Sequence, residues 1–265
     1  MLSNLRKFAA EFRACWALTI EYRMSIFIWM LSMMLPFVMM AGWLSIARDG
    51  PVGRFSYGDF IAYYVAAIVV RNVTGVWIVW EMDNDLRLGE MSFKLLKPMN
   101  PILHYMASSL APKPLRLLVL VPILIAVKIF LPDVQFVTDP VALAVFLLSI
   151  AGAWAMMFFQ LYSIGLLGFW ITQPSSLHDV WFGIFSLFSG YLVPLDLFPG
   201  VIRELLYAMP FRYHMSFSIE ILTGRLNLTS MAQGLVLQWI WVAVFYGVYR
   251  FVWWRGVRRF SAVGA

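Results

Sequence analysis

Long apolar runs alternate with short polar stretches along the whole chain. A helix needs about 20 mainly apolar residues to cross a bilayer. Six runs approach that measure: residues 25–47, 60–80, 115–131, 141–172, 180–191 and 235–254. The fourth is longer than a crossing requires, so tilt or extension past the bilayer is expected. The fifth continues into a proline-broken stretch. Ahead of the first run, Leu2, Leu5, Ala9, Phe12, Trp16 and Ile20 recur at helical spacing, while Lys7, Glu11 and Glu21 fall elsewhere. That pattern predicts an amphipathic helix over residues 1–23 lying in the membrane interface. A polar tail with accidental periodicity is the alternative. The first apolar run is too long for a signal-peptide core and has no small-residue cleavage site after it, so it reads as uncleaved.

Two interruptions carry more pattern than a plain turn needs. The first, within residues 81–104, contains LRLGEMSFKLLKPMNP. Asp83, Asn84 and Asp85 are residue types that cap helix N-termini. Beyond them Arg87, Glu90, Lys94 and Lys97 share one helical face, and Leu88, Met91 and Leu95 an adjoining one. Glu90 and Lys94 stand at a favourable i, i+4 spacing. Pro98 stops the helix and Pro101 keeps its exit extended. Gly89 costs about 1 kcal/mol relative to alanine, so this short helix needs something to dock against. Either lipid headgroups and the protein's own helix ends receive it, or a partner groove takes Met91, Phe93, Leu95 or Leu96.

The second interruption, residues 192–225, is apolar but broken by Pro194, Pro199 and Pro210. Irregular backbone survives at membrane depth only inside protein or beside a cavity. The expectation is a broken, re-entrant hairpin with a short helix at 201–208 and a second amphipathic piece at 213–222. Asp196, Arg203, Glu204, Arg212 and Glu220 are expected near its surface. It serves as a gate or as a cap that only packs.

Composition agrees with the pattern. Of 265 residues, 62% are apolar and 13% charged, against about 45–50% and 25% in soluble domains. The class is therefore all-α and polytopic, one transmembrane domain over 1–265. The net charge of +6 resolves into sides. With six crossings, Arg6, Lys7, Arg13, Arg23, Arg87, Lys94, Lys97, Lys113, Arg116, Arg250, Arg255, Arg258 and Arg259 share the side of both termini; Arg48, Arg54, Arg203, Arg212 and Arg225 lie opposite. Thirteen against five puts both termini in the cytoplasm. The loop 132–140, with two aspartates and no basic residue, suits the outer side. No soluble basic domain remains to bind nucleic acid.

Candidate chemistry is sparse. Cys15, the one cysteine, excludes an intrachain disulfide. His104, His178 and His214 lack zinc-ligand spacing, and Glu81, Asp83 and Asp85 read as caps before a cation site, so no metal is expected. No Ser/His/Asp or paired-carboxylate set is persuasive, so no catalytic residue is expected. Arg71 is the notable mid-crossing charge, with Asn72 beside it; both are candidates for a pathway or dimer interface. Lys128 sits near a helix end, where it snorkels, and Gln160 adds a polar group. Of two glycosylation-type triplets, at Asn72 and Asn227, the first falls within a crossing. The chain has no G-x-x-x-x-G-K-[ST], so it binds no ATP by a P-loop.

The inner segment and the outer PLDLFPGVIRELLYAMPFRY together resemble the ABC-2 type transporter permeases, in particular a bacterial six-span subgroup of poorly defined substrate. The family's inner loop reads I-R-x-G-x-L-x-x-x-L-L-x-P-x-x-P; Leu86, Arg87, Gly89, Glu90, Met91, Leu95, Leu96, Pro98 and Pro101 fall on it. Its outer pattern matches Pro194, Leu195, Asp196, Leu197, Phe198, Pro199, Met209, Pro210 and Phe211. Met91 and Met99 depart from the usual Leu or Val. The resemblance implies a permease dimer, with itself or a sibling, in the bacterial inner membrane. A separate cytoplasmic ATPase subunit binds ATP and Mg. The inner helix is then the coupling helix (Arg87, Glu90, Met91, Phe93, Lys94, Leu95, Leu96, Lys97, Pro98). The hairpin carries the outer gate (Pro194, Asp196, Phe198, Pro199, Pro210). An ion-gradient transporter, an intramembrane enzyme or a structural subunit are the rivals. The first predicts acids within the crossings, which hold almost none.

Overall fold

The computed structural model describes residues 2–32, 35–131 and 134–259. Met33 and Met34, inside the first expected crossing, and Pro132 and Asp133, in the outer loop, lie outside the described residues, as does the side chain of Leu2.

The described residues are helical with no strand; one isolated bridge joins Val52 to Phe55. α1 (Leu2–Glu21) leads into α2 (Arg23–Ser32) and α3 (Leu35–Ile46). α4 (Tyr57–Thr74) and α5 (Ile78–Arg87) follow, then the short α6 (Glu90–Leu96), α7 (Ile102–Leu110) and α8 (Lys113–Phe130). α9 (Pro140–Leu166) is followed by α10 (Pro174–Phe188), and three short helices come next: α11 (Gly200–Ala208), α12 (Pro210–His214) and α13 (Ser216–Leu222). α14 (Leu228–Val257) closes the chain's described part.

Among the described residues, five stretches are long and apolar enough to cross a membrane: Arg23–Asp49, Tyr57–Arg87, Ile102–Phe130, Pro140–Phe169 and Leu228–Val257. The fifth expected crossing is realised as α10, whose 15 residues reach about 22 Å at 1.5 Å each, short of a bilayer core of about 30 Å. Its bounds also shift: it starts at Pro174, where proline is tolerated at the first helical turn, and ends at Phe188. The long fourth run stops being α-helical at Leu166 and ends in a 3-10 turn, Leu167–Phe169.

α4 is the buried centre. Ser56 and Asp59 form a reciprocal capping box at its start, and Phe60, Tyr63, Tyr64, Ala66, Ala67 and Val70 are almost wholly enclosed. α3, α8, α9 and α13 pack around it. The opposite arrangement holds outside, where Leu118, Ile125 and Ile129 of α8 and Val236, Ile240 and Phe251 of α14 are exposed. An apolar shell around a core that includes hydrogen-bonded polar groups is what a lipid solvent selects.

α9 and α14 form the most extensive helix pair. Gln238 of α14 donates to the carbonyls of Ser149 (3.0 Å) and Tyr213 (2.9 Å), tying α9 and α12 to it. Four residues earlier, Gly234 faces Phe217 so closely that a Cβ would lie 2.2 Å from the ring. Small residues at such crossings let helix backbones approach.

The structure gives α1 contacts to the rest of the protein. The helix is present, but Lys7 and Glu11 face the protein: Lys7 donates to the Pro98 carbonyl, and Glu11 bonds His104 of α7 at 3.0 Å. Phe8, Phe12 and Cys15 pack on Ala107 and Ala111, while Leu5, Leu18 and Ile20 are exposed. Periodicity found the helix; its contacts to α7 and to the Pro98 carbonyl depend on partners remote in sequence.

We expect Gly234→Val to lower the thermal unfolding midpoint in detergent, with a loss of about 1–3 kcal/mol from overpacking against Phe217. Gly247→Val, on the same helix with no atom within 4 Å of a new Cβ, should leave the midpoint unchanged. Equal effects would contradict the packing described.

Candidate functional site

The inner segment folds differently from its sequence reading. Asp83, Asn84 and Asp85 are not caps; they sit inside α5. α5 ends at Arg87, and the chain turns at Gly89, whose φ of +76° lies in the left-handed region that suits glycine. α6 then begins at Glu90. Gly89 is therefore a hinge residue between helices and not a weak point within one.

The acids of α5 anchor α6. Asp85, buried, accepts from Lys94 and from the hydroxyl of Tyr105. Lys94 also lies 3.6 Å from Glu81 and 4.6 Å from the Tyr105 ring centre. The expected Glu90–Lys94 pair is replaced by this longer-range one, because the buried carboxylate of Asp85 offers Lys94 a partner shielded from water. Asp83 accepts from Ser175 of α10 at 2.6 Å and pairs with Arg87 at 3.1 Å. His104 bridges two helices, with Nδ1 3.0 Å from Glu11 and Nε2 2.9 Å from Glu81.

The apolar side chains of this segment divide into two sets. Met91 is wholly buried and belongs to the main core, and Leu95 packs against that core. Phe93 is 70% exposed and Leu96 82%, with Leu88, Lys97 and Pro98 exposed beside them. Sequence reasoning placed Met91, Phe93, Leu95 and Leu96 on one docking surface. In the fold the free surface is Leu88, Phe93 and Leu96, and Met91 is the anchor that holds it.

The far end is built around α4. After α10 the chain leaves the helix over residues 189–194. Tyr63 donates to the carbonyl of Gly190 and Tyr64 to that of Leu192, both at 2.7 Å. Ser216 N–H donates to the Ser189 carbonyl at 3.0 Å. Pro194 opens a short 3-10 turn, Leu195–Leu197; Pro199 precedes α11 and Pro210 begins α12. Asp196 accepts from Tyr207 at 2.7 Å, and the Phe198 ring lies 6.4 Å from Phe188. The second amphipathic piece breaks at Met215 into α12 and α13. Arg212 and Glu220, expected at the surface, form a largely buried pair at 2.5 Å, and Ser216 donates to Glu220 at 2.7 Å. Arg212 also stands over the Tyr207 ring at 4.0 Å. Glu204 and Pro199 are exposed.

Between the two ends lies Arg71, 4% exposed, with its guanidinium 5.2–5.7 Å from the ring centres of Phe185, Trp77, Phe182 and Tyr191. Asn72 donates back to its own helix at Ile68 O, 2.9 Å. Neither reaches the free surface of the chain. Sequence reasoning missed Tyr63 and Tyr64, whose partners are over 120 residues away. It also gave Lys113 and Arg116 no role beyond the charge count on the side of the termini, although both are buried.

Glu11, Cys15 and His104 bring one ligand-type atom each within 4.8 Å of one another. Burial, then the nearby Glu11 carboxylate, pushes the Cys15 thiol pKa up, and metals bind the thiolate. The two hydrogen bonds of His104 account for the cluster as a clamp joining α1, α5 and α7.

The geometry thus offers a rigidly held short helix at one end, a clamped irregular hairpin at the other, and no assembled catalytic set among the described residues. A comparison with curated proteins found no match. A family model described as ABC-2 family transporter protein matches residues 28–264. That stretch takes in α6, the hairpin and, apart from the first five residues of Arg23–Asp49, the membrane-length helices: the chain is a multi-pass membrane protein that belongs to the ABC-2 family of transporters.

Proposed function

We propose that the chain is the permease subunit of an ATP-binding cassette exporter in a bacterial inner membrane, with both termini cytoplasmic. A separate cytoplasmic ATPase subunit holds ATP and Mg. A second permease, identical or a sibling, completes the pathway, and the substrate is an amphipathic, lipid-like or drug-like molecule or a glycan. The observation that carries this reading is α6: an isolated two-turn helix pinned by buried Asp85 and Met91 yet presenting Phe93 and Leu96 to the surroundings. A pinned apolar helix at the basic end of the bundle fits a groove on a soluble partner.

In this reading Leu88, Phe93 and Leu96 enter the ATPase groove, and Arg87, Glu90, Lys97 and Pro98 orient them. Met91, Lys94 and Leu95 transmit force into the core. α4 and α5, 31 residues end to end, run from this helix to the far hairpin. There Pro194, Asp196, Phe198, Pro199 and Pro210 shape the outer gate. Residues 1–23 brace the inner face and residues 192–225 close the outer one, within a single transmembrane domain. Arg71 and Asn72 line the mechanical route between them.

Phe93→Asp and Leu96→Asp should each abolish co-purification with the partner ATPase, at unchanged yield of folded permease. Met91→Asp should lose the fold itself, since it places an unpaired charge in the core. Wild-type co-purification of Phe93→Asp and Leu96→Asp would remove α6 from the coupling role.

Arg71→Ala should reduce substrate-stimulated ATPase activity of the reconstituted complex much more than Lys128→Ala, whose side chain is exposed. Equal, mild losses would take Arg71 out of the route. Tyr63→Phe with Tyr64→Phe frees two hairpin carbonyls and should lower stimulation while leaving ATPase binding intact. Unchanged stimulation would show that the hairpin does not gate.

A further inference from the structure

Three cations are buried close together: Arg71 at 4% exposure, Lys113 at 8% and Arg116 at 8%. Lys113 donates to the Gly75 carbonyl at 2.9 Å. Arg71 Nη1 lies 3.8 Å from where a Cβ of Gly75 would stand. Arg116 lines a small recess together with Gly75. None of the three has an acidic partner among the described residues, and the Nε atoms of Arg71 and Arg116 have no hydrogen-bond partner there. Glu81 also lines the recess, but its Oε1 is committed to His104 and Lys94 and its Oε2 to Ser108.

The recess shares Trp77 and Arg116 with a larger cavity of about 560 Å³ lined by Trp29, Trp77, Trp80 and Arg116. Trp77 stacks on Trp80 at 5.4 Å and lies 6.1 Å from Trp29. The cavity thus has an aromatic wall and one guanidinium. Buried like charges without counter-charge are costly, and their joint field disfavours a cationic guest. An anion beside Arg116 would supply the missing counter-charge, and guanidinium suits phosphate oxygens. A tryptophan panel at a membrane boundary suits the chain beneath a headgroup.

We propose that Arg116, with Lys113 and Arg71 behind it, binds the phosphate of an anionic amphiphile whose apolar part lies against Trp29, Trp77 and Trp80. The proposal names the substrate class for the permease reading above, and rests on that reading for transport but not for binding.

The test places the purified full chain in phosphatidylcholine nanodiscs carrying a minority of phosphatidylglycerol brominated on its acyl chains. Brominated phosphatidylcholine at the same fraction is the reference. Bromine quenches tryptophan fluorescence on contact. We expect the phosphatidylglycerol to be enriched at the cavity about fivefold, the scale of one basic side chain's attraction for an anionic lipid. Arg116→Gln should erase the preference, Arg116→Lys should keep most of it, and Lys128→Gln should leave it unchanged. Trp80→Leu should remove much of the selective quenching, which keeps the site testable if Arg116→Gln does not fold. Equal quenching by the two lipids in the wild type overturns the proposal, as does a full preference in folded Arg116→Gln. Millimolar inorganic phosphate should not displace the lipid; displacement would overturn the amphiphile assignment in favour of a free-anion site. The readout uses no ATPase, so it fails or succeeds independently of α6 coupling.

Discussion

A helix that breaks inside a membrane strands carbonyl and amide groups where no water can meet them. This chain breaks twice around its central helix, and both repairs come from distant side chains. At the end of α4 the Gly75 carbonyl is met by Lys113 of α8. After α10 the Gly190 and Leu192 carbonyls are met by Tyr63 and Tyr64 of α4. Each repair is worth more than a surface hydrogen bond, because an unmet buried acceptor costs about 1–3 kcal/mol. Both breaks are thus fixed to α4, and the two ends of the molecule share a rigid element.

That arrangement gives the proposed transport cycle a physical path. α6 is too short to fold alone, so its position is set by Asp85 and Tyr105 beneath it and by Met91 in the core. A push on Phe93 or Leu96 therefore moves α5 and the core and does not merely bend a loop. The continuation through α4 ends at tyrosines that hold the hairpin carbonyls. On the proposed reading, the membrane body behaves as a lever with its buried arm in α4 and α5.

Much of this was legible in the sequence, because lipid imposes a coarse code. Apolar runs of crossing length located the long helices, and Pro194, Pro199 and Pro210 located the irregular hairpin. The bounds of α11 differ by one residue from the expected 201–208. What failed depended on partners remote in sequence. Asp83 and Asp85 look like caps until Ser175 and Tyr105 are brought against them. Met91 and Phe93, two residues apart, point to opposite sides of a helix, and only the packing of α6 on the core tells which side is buried. Lys113 and Arg116 look like part of an inner-side charge count because positive residues at helix ends usually face water. Arg212 and Glu220 look superficial because the break at Met215, which brings them together, leaves no mark in the apolar pattern.

The central claim is directional: α6 and the hairpin lie at opposite ends of the protein, with α6 in the cytoplasm. The most direct test uses single cysteines in a Cys15→Ser background, at Leu96→Cys on α6 and Val201→Cys on α11, both at strongly exposed sites. A membrane-impermeant maleimide applied to intact spheroplasts should label Val201→Cys alone, and applied to inverted vesicles should label Leu96→Cys alone. Labelling of Leu96→Cys in intact spheroplasts, or of both positions from one side, would contradict the account.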